Sequence, residues 1–452
     1  MKETFIKLSM YVIVIGVIVV SKGYSDNPII QTLYTADPAP MVHDGVCYVY
    51  TSHDEDVIVR NFFTMNDWRC YSTTDMVNWT DLGSPLSYED FQWARSNSSW
   101  AGQCIFRNGK FYFYVPINEK GGGNAIGVAV SDRPEGPFKD AIGKPLLKGF
   151  GYIDPSVFID DDGQAYLYWG NPKLLYVKLN EDMISYAGEV NEVPLTTESF
   201  GVRSKDDRPT RYEEGPWLYK RNDLYYMIFA AGPISEHIAY ATGPTATGPW
   251  TFRDTLMPTQ GRSFTNHPGV CDYKGNTYLF YHNGALPDGG GFHRSVCVEQ
   301  LHFNEEGYIP TINMTKDGAP QIGHLNPYDT VQAETICWTG GVEIQACDEG
   351  GMNVCDIENG DFIKIKGVDF GEGAKSFEAR VASETQGGTI ELRLDSPTGT
   401  LIGTCAVSGT GGWQNWKTKI CSIEDVDGMH DLYLVFNGDE GKLFNMHWWK
   451  FE

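Results

Sequence analysis

The strongest constraint on this chain is a hairpin repeated five times at intervals of roughly 50 to 65 residues. Each copy is an apolar strand, a turn on Gly or Asn, and a second strand with a tyrosine three residues past the turn. The turn residues are Gly45, Gly109, Gly163, Asn222 and Gly275, all types that tolerate a left-handed backbone. The tyrosines are Tyr48, Tyr112, Tyr166, Tyr225 and Tyr278. Two further similar stretches, residues 131–138 and 242–250, read as outer strands ending in a Gly-Pro turn. A unit of about 60 residues has room for four strands and must stack on its neighbours to bury an apolar face. The expected fold is therefore all-β, a five-bladed β-propeller, because a sandwich would show no five-fold register.

Register locates a candidate site. Counting back eight residues from the turns gives Asp37, Ala101, Glu214 and His267; the third turn carries one extra Asp, and counting back nine gives Asp154. Equivalent positions on the innermost strands of a propeller surround its axis, so three carboxylates and a histidine should meet in one pocket. Carboxylates brought together repel one another, which is costly as architecture and useful as chemistry. One carboxylic acid that protonates a leaving oxygen, one carboxylate that activates water, and a third that tunes the acid are what glycoside hydrolysis needs. Glu135 repeats the local spelling of Glu214 in an outer turn and is excluded by register. Glu213 is excluded by the alternation of side chains along a strand. Trp93, Trp100 and Trp169 fall near ends of inner strands, and Trp100, directly before Ala101, is the expected aromatic wall of the pocket.

The formal net charge of -24 and pI near 4.8 leave no basic face for a nucleic-acid partner. Residues 1–25 carry Lys2 and Lys7, then an apolar stretch, then small residues, which is the pattern of a signal peptide and predicts a secreted or periplasmic protein with no stable membrane span after processing. Residues 26–322 are assigned to the propeller, 323–329 to a linker, and 330–452, with short alternating strands, to a β-sandwich of jelly-roll type. Of the ten cysteines, Cys47, Cys104 and Cys271 lie in apolar runs and read as small buried hydrophobes. No disulfide framework is expected in the first unit. In the second, residues 411–416 and 443–449 place tryptophans beside amides, a pairing suited to stacking on sugars, with one tryptophan of each pair expected in the core.

Residues 36–40 (ADPAP), 153–156 (IDPS) and 214–217 (EGPW), in this order and spacing, resemble the signature blocks of glycoside hydrolase family 43. The resemblance covers roughly residues 27–321. It implies an inverting mechanism with Asp37 as general base, Asp154 as pKa modulator and orienter, and Glu214 as general acid. It further implies an ion or water cluster beside His267, taken here as a Ca²⁺ site, and a sugar-binding or modulator-binding role for Arg294. No cofactor is needed for the chemistry. Residues 330–452 resemble a family 6 carbohydrate-binding module, which implies sugar contacts at Trp413 and Asn445. In residues 352–356 the tyrosine usual in that family is missing, and His447 stands where an aspartate usually helps bind structural calcium near Glu334. The partner expected is plant cell-wall arabinoxylan or xylan. The activity expected is exo-acting release of α-L-arabinofuranosyl units, with β-D-xylosidase activity on xylo-oligosaccharides, or a non-catalytic glycan-binding protein, as the alternatives.

Overall fold

The computed structural model describes residues 26–203 and 208–452. The signal-peptide expectation for residues 1–25 lies outside them. No helix among the described residues is long and apolar enough to cross a membrane.

Five antiparallel sheets follow one another along the first three hundred residues, each opened by one of the predicted hairpins. Their first strands are Thr35–His43, Gln103–Arg107, Ser156–Ile159, Tyr212–Arg221 and Gly269–Tyr273. The turns form where the sequence demands them. Gly45, Gly109, Gly163, Asn222 and Gly275 all have positive φ, between 55° and 81°. At three of these turns the preceding residue, Asp44, Asn108 or Lys274, is also left-handed, the backbone of a two-residue turn whose twist matches the strands.

Four of the sheets contain four or more strands, whereas the fifth has three, Gly269–Tyr273, Asn276–Asn283 and Ser295–Leu301, where four were expected. The reason is the segment that follows Asp26. Ile29 N donates to Val296 O at 2.9 Å and Val298 N donates to Asn27 Oδ1 at 3.1 Å, so this segment satisfies the free edge of the third strand.

The first strand of each sheet packs against the first strand of the next, and Gly269–Tyr273 returns to Thr35–His43. Apolar clusters fill the spaces between neighbouring sheets; Val49, Tyr71 and Trp79 of the first, for example, meet Tyr278, Phe280 and Val296 of the fifth. Contact at the closing pair is tight, because a Cβ built on Gly269 would lie 2.3 Å from Pro38 O and 2.4 Å from Pro40 Cδ. Gly269→Ala is therefore expected to cost about 1–3 kcal/mol by forcing these strands apart. Chemical denaturation measures it, and unchanged stability would contradict tight closure between the first and fifth sheets.

From Val331 the chain forms a β-sandwich of two antiparallel sheets around a shared core that includes Ile363, Phe377, Leu392, Phe436 and Trp449. The two units are joined by more than a linker. Thr335–Ile336 pairs with Trp79–Asp81 as an added strand of the first sheet, and Asp26 accepts from Lys364 at 2.7 Å and Lys366 at 3.0 Å. Leu325, in the expected linker, bonds to Gly367 O at 3.0 Å. Cys47 and Cys104 are buried in their sheets and Cys271 is partly so.

Candidate active site

All five counted positions, Asp37, Ala101, Asp154, Glu214 and His267, line one cavity of about 110 Å³, with Phe62, Phe63, Met65, Trp100 and Arg294 among the other walls. The carboxylates enter it through distorted backbone. Asp37 and Asp154 have φ of 52° and 56°, uncommon for non-glycine residues, and Gly215 after Glu214 has φ of 57°. Strand register slips between Ala36 and Ala39 and again on both sides of Glu214, so bulges turn these side chains inward at the entry to their strands.

Asp37 is 6% exposed and tightly held. Arg294 donates to it from Nη1 at 2.9 Å, and Ser52 Oγ donates at 2.8 Å. Burial opposes its ionisation, but the charge of Arg294, aided by His267, His282 and the Ser52 hydrogen bond, wins and pulls its pKa down to about 2. In the unfolded chain the value is near 3.8, so ionised Asp37 stabilises the fold above about pH 4, and that contribution is lost as pH falls toward 2. Arg294, 3% exposed, also grips buried Asp54 through Nε at 2.9 Å and Nη2 at 3.0 Å, and lies over the Phe63 ring. The arginine thus serves Asp37 and Asp54. No hydrogen bond joins it to Asp154 among the described residues, although its charge works against the rise of the Asp154 pKa.

Asp154 and Glu214 are the opposite case. Burial, followed by the charges of Glu214 and Asp37, pushes Asp154 well above the ordinary carboxylate range. Glu214 is also raised, by burial and by the charges of Glu213 and Asp37, although an Asn171 hydrogen bond works against this. The two are linked through the backbone, since Gly215 N donates to Asp154 Oδ2 at 3.0 Å. Asp154 therefore fixes the peptide that carries Glu214. Glu214 is the more open of the two to the cavity. A site with one firmly ionised carboxylate and a pair whose pKa values are raised is equipped to take a proton at one point and give one at another.

Several neighbours of this set were not predicted. Asn171 Nδ2 donates to Glu214 Oε2 at 2.6 Å and is itself held by Arg208 at 3.0 Å. His282, fully buried, accepts from Asp37 N at 3.2 Å and contacts Thr265 O through Nε2 at 3.0 Å; this assigns a neutral ring with the proton on Nε2, in keeping with a pKa lowered by burial to about 3. Glu236, 2% exposed, accepts from Asn266 N at 2.7 Å and so anchors the loop that carries His267. Ser52 and His282 were accessible to the register, since both lie seven residues beyond their turns, Gly45 and Gly275. Asp54, Asn171 and Glu236 come from loops and strand ends outside the repeat and left no such signal.

Trp100 lines the cavity as expected. Trp169 is fully buried, and Trp93 donates to Asp140 at 3.1 Å away from it. Glu135 pairs with Arg133 at 3.2 Å in its outer turn. Glu213 is buried against Arg203 and Arg208 and does not line the cavity. Ca²⁺ takes six to eight oxygen ligands. Among the described residues the one group of three potential ligand side chains is His53, Glu55 and Asp67, in which His53 Nδ1 already bonds Asp67 at 2.7 Å. His267 belongs to no such group. The ion expected beside it has no cage built from side chains, and none of the chemistry below passes through an ion.

In the sandwich, Trp413 is half-buried and its carbonyl accepts from Asn445 Nδ2 at 2.8 Å. Asn445 is 3% exposed, so it supports the start of the Gly412–Val426 strand from beneath rather than presenting its amide outward. Trp416 and Trp449 are the core members of their pairs. Glu334 is 3% exposed with one oxygen lacking a hydrogen-bond partner, and His447 Nε2 contacts Gly350 O at 3.0 Å.

The family models for glycosyl hydrolases family 43 and for carbohydrate binding module (family 6) match residues 25–309 and 332–452, respectively. An arabinoxylan arabinofuranohydrolase of Bacillus subtilis (strain 168) is 34% identical over 94% of this chain and 92% of its own length. A xylosidase/arabinosidase of Bacteroides ovatus is 34% identical over 62% of this chain and 95% of its own. The crystal structure of a glycoside hydrolase family 43 arabinoxylan arabinofuranohydrolase from Bacillus subtilis, in complex with cellotetraose, superposes with a TM-score of 0.81 at 33% identity, covering 94% of this chain and 97% of that one.

Proposed function

From membership of glycosyl hydrolase family 43, to which the chain belongs, we infer an inverting, exo-acting glycoside hydrolase that releases α-L-arabinofuranosyl units from arabinoxylan or arabino-oligosaccharides. Its five sheets are the blades of a five-bladed β-propeller with the active site at one mouth of the central channel; the closed succession of first-strand contacts supports this arrangement. The enzyme is secreted or periplasmic, and its family 6 module, residues 330–452, keeps it on the cell-wall polysaccharide, with Trp413 as the stacking surface.

The observation that carries this reading is the split in protonation across one small cavity. Asp37, ionised and aimed by Arg294 and Ser52, orients a water and takes its proton as that water attacks the anomeric carbon. Glu214, whose pKa burial raises above the ordinary carboxylate range, delivers its proton to the leaving oxygen. Asp154 holds the Glu214–Gly215 peptide in place, and its own pKa is raised by burial and then by the charge of Glu214. Trp100 offers an aromatic face to the sugar. The reaction consumes the acid form of Glu214, so activity should be lost as pH rises through the raised pKa of the Asp154–Glu214 pair.

A β-xylosidase activity is the second reading, favoured by the likeness to the Bacteroides ovatus xylosidase/arabinosidase. Incubation with arabinoxylan and with xylo-oligosaccharides, followed by identification of the released monosaccharide, separates the two. Arabinose from arabinoxylan is expected. Xylose from the oligosaccharides without arabinose would establish the second reading, and release of neither sugar would leave only a glycan-binding protein.

A further inference from the structure

A second cavity of about 420 Å³ adjoins the catalytic one, and the two share Phe62, Phe63 and Trp100 as walls. Its remaining lining includes Arg60, Arg95 and Asn118 and contains no carboxylate. That is a notable exception on a chain with formal net charge -24. Arg69, Arg203 and Arg294 lie against Asp or Glu, yet among the described residues neither Arg60 nor Arg95 makes an ion pair. Both are exposed. Arg95 is nonetheless directed: with the Asn118 amide turned so that its oxygen faces the guanidinium, the assignment that satisfies its neighbours, Nη2 donates to it at 3.0 Å, and Asn118 is 9% exposed. Phe62, 53% exposed, stands on the same loop as Arg60 and meets Trp100 edge-on at 6.2 Å.

Aromatic faces that suit sugar rings, beside two guanidinium groups with no internal counter-charge, describe a site for a sugar that carries a negative charge. A guanidinium recognises a carboxylate through two parallel N–H donors. At ordinary ionic strength the distant acidic surface is screened within about 8 Å, so the local arginines set the sign of the field that a ligand feels there. We propose that this cavity binds a uronic-acid side group of the polysaccharide, its carboxylate held by Arg60 and Arg95, while the neutral unit to be removed occupies the catalytic cavity. The proposal rests on the reading of the chain as a hydrolase of arabinoxylan and adds to it a preference for acidic decoration near the cleaved branch.

Binding separates this proposal from the hydrolase reading. Calorimetry on the Glu214→Gln protein compares two arabinoxylo-oligosaccharides of equal length, one bearing a glucuronosyl group and one without it, at low salt and in 0.5 M NaCl. Two exposed ion pairs, each worth up to a factor of about five, predict roughly tenfold tighter binding of the acidic oligosaccharide at low salt. The preference should fall to about twofold or less in high salt and on adding Arg60→Gln and Arg95→Gln. Hydrolysis of nitrophenyl arabinofuranoside by the double arginine variant in an otherwise unaltered chain should match that of the parent, which reports on the fold and on the hydrolase reading independently. Equal affinities for the two oligosaccharides, or a preference that survives the double substitution, would overturn the proposal. So would free glucuronate binding as tightly as the acidic oligosaccharide, because the cavity would then be a site for small carboxylates.

Discussion

Glu214→Gln is expected to lower turnover on arabinoxylan by about 10³-fold while lowering turnover on nitrophenyl arabinofuranoside by less than about tenfold. The difference follows from the leaving groups. A sugar alkoxide must be protonated as it departs, whereas nitrophenolate departs without help. The substitution is mild in structure, because a glutamine oxygen still accepts from Asn171 Nδ2, which now bonds Glu214 at 2.6 Å. It also removes the raised carboxyl group, so the loss of activity at high pH seen on arabinoxylan should be absent from the variant's residual activity on the activated substrate. Equal losses on the two substrates would assign the proton donor elsewhere, with Asp154, the other raised carboxyl group, as the candidate.

Asp37→Asn should be the more severe change, lowering both substrates alike by about 10³-fold or more, since every turnover needs the attacking water to lose its proton. Asparagine is among the residues that tolerate the left-handed backbone found here, φ 52°, so the strand entry is preserved. Its oxygen can still accept from Arg294. What disappears is the negative charge that Arg294 and Ser52 aim into the cavity. Turnover within tenfold of the parent on either substrate would remove Asp37 from the mechanism.

The repeat made the site legible before any coordinates, for a physical reason. A hairpin turn needs residues that accept positive φ, so the five turns leave a mark in the sequence, and antiparallel pairing fixes the distance from each turn to the strand entry. Asp37, Asp154 and Glu214 were found in that way, and the structure brings them into one cavity with Ala101 and His267. Composition carried no such information about loops. Asn171 follows the end of a second strand, Glu236 precedes the entry to a third, and Arg60 sits in a loop that the repeat does not reach; each acquires its neighbours only through tertiary packing.

The same limit explains what differed. Periodicity allowed four strands in every copy, but the edge of the fifth sheet is satisfied by the segment after Asp26, a long-range pairing that local pattern does not encode. The family resemblance implied Arg294 in the site without telling which carboxylate it would serve. Its choice of Asp37 and Asp54 depends on Asp54 being brought to within 3.0 Å from the end of another strand. The boundary between the two units was read from a connector at 323–329 followed by short alternating strands, yet Thr335–Ile336 completes the first sheet.

The division of labour between Asp37 and Glu214 is tested most directly by proton NMR of the sugar first released from an α-arabinofuranoside. Attack by a water activated at Asp37 on the face opposite the leaving group gives the β-anomer first, before mutarotation mixes the forms. An α-anomer appearing first would mean retention through a covalent intermediate, and Asp37 could not then be the base.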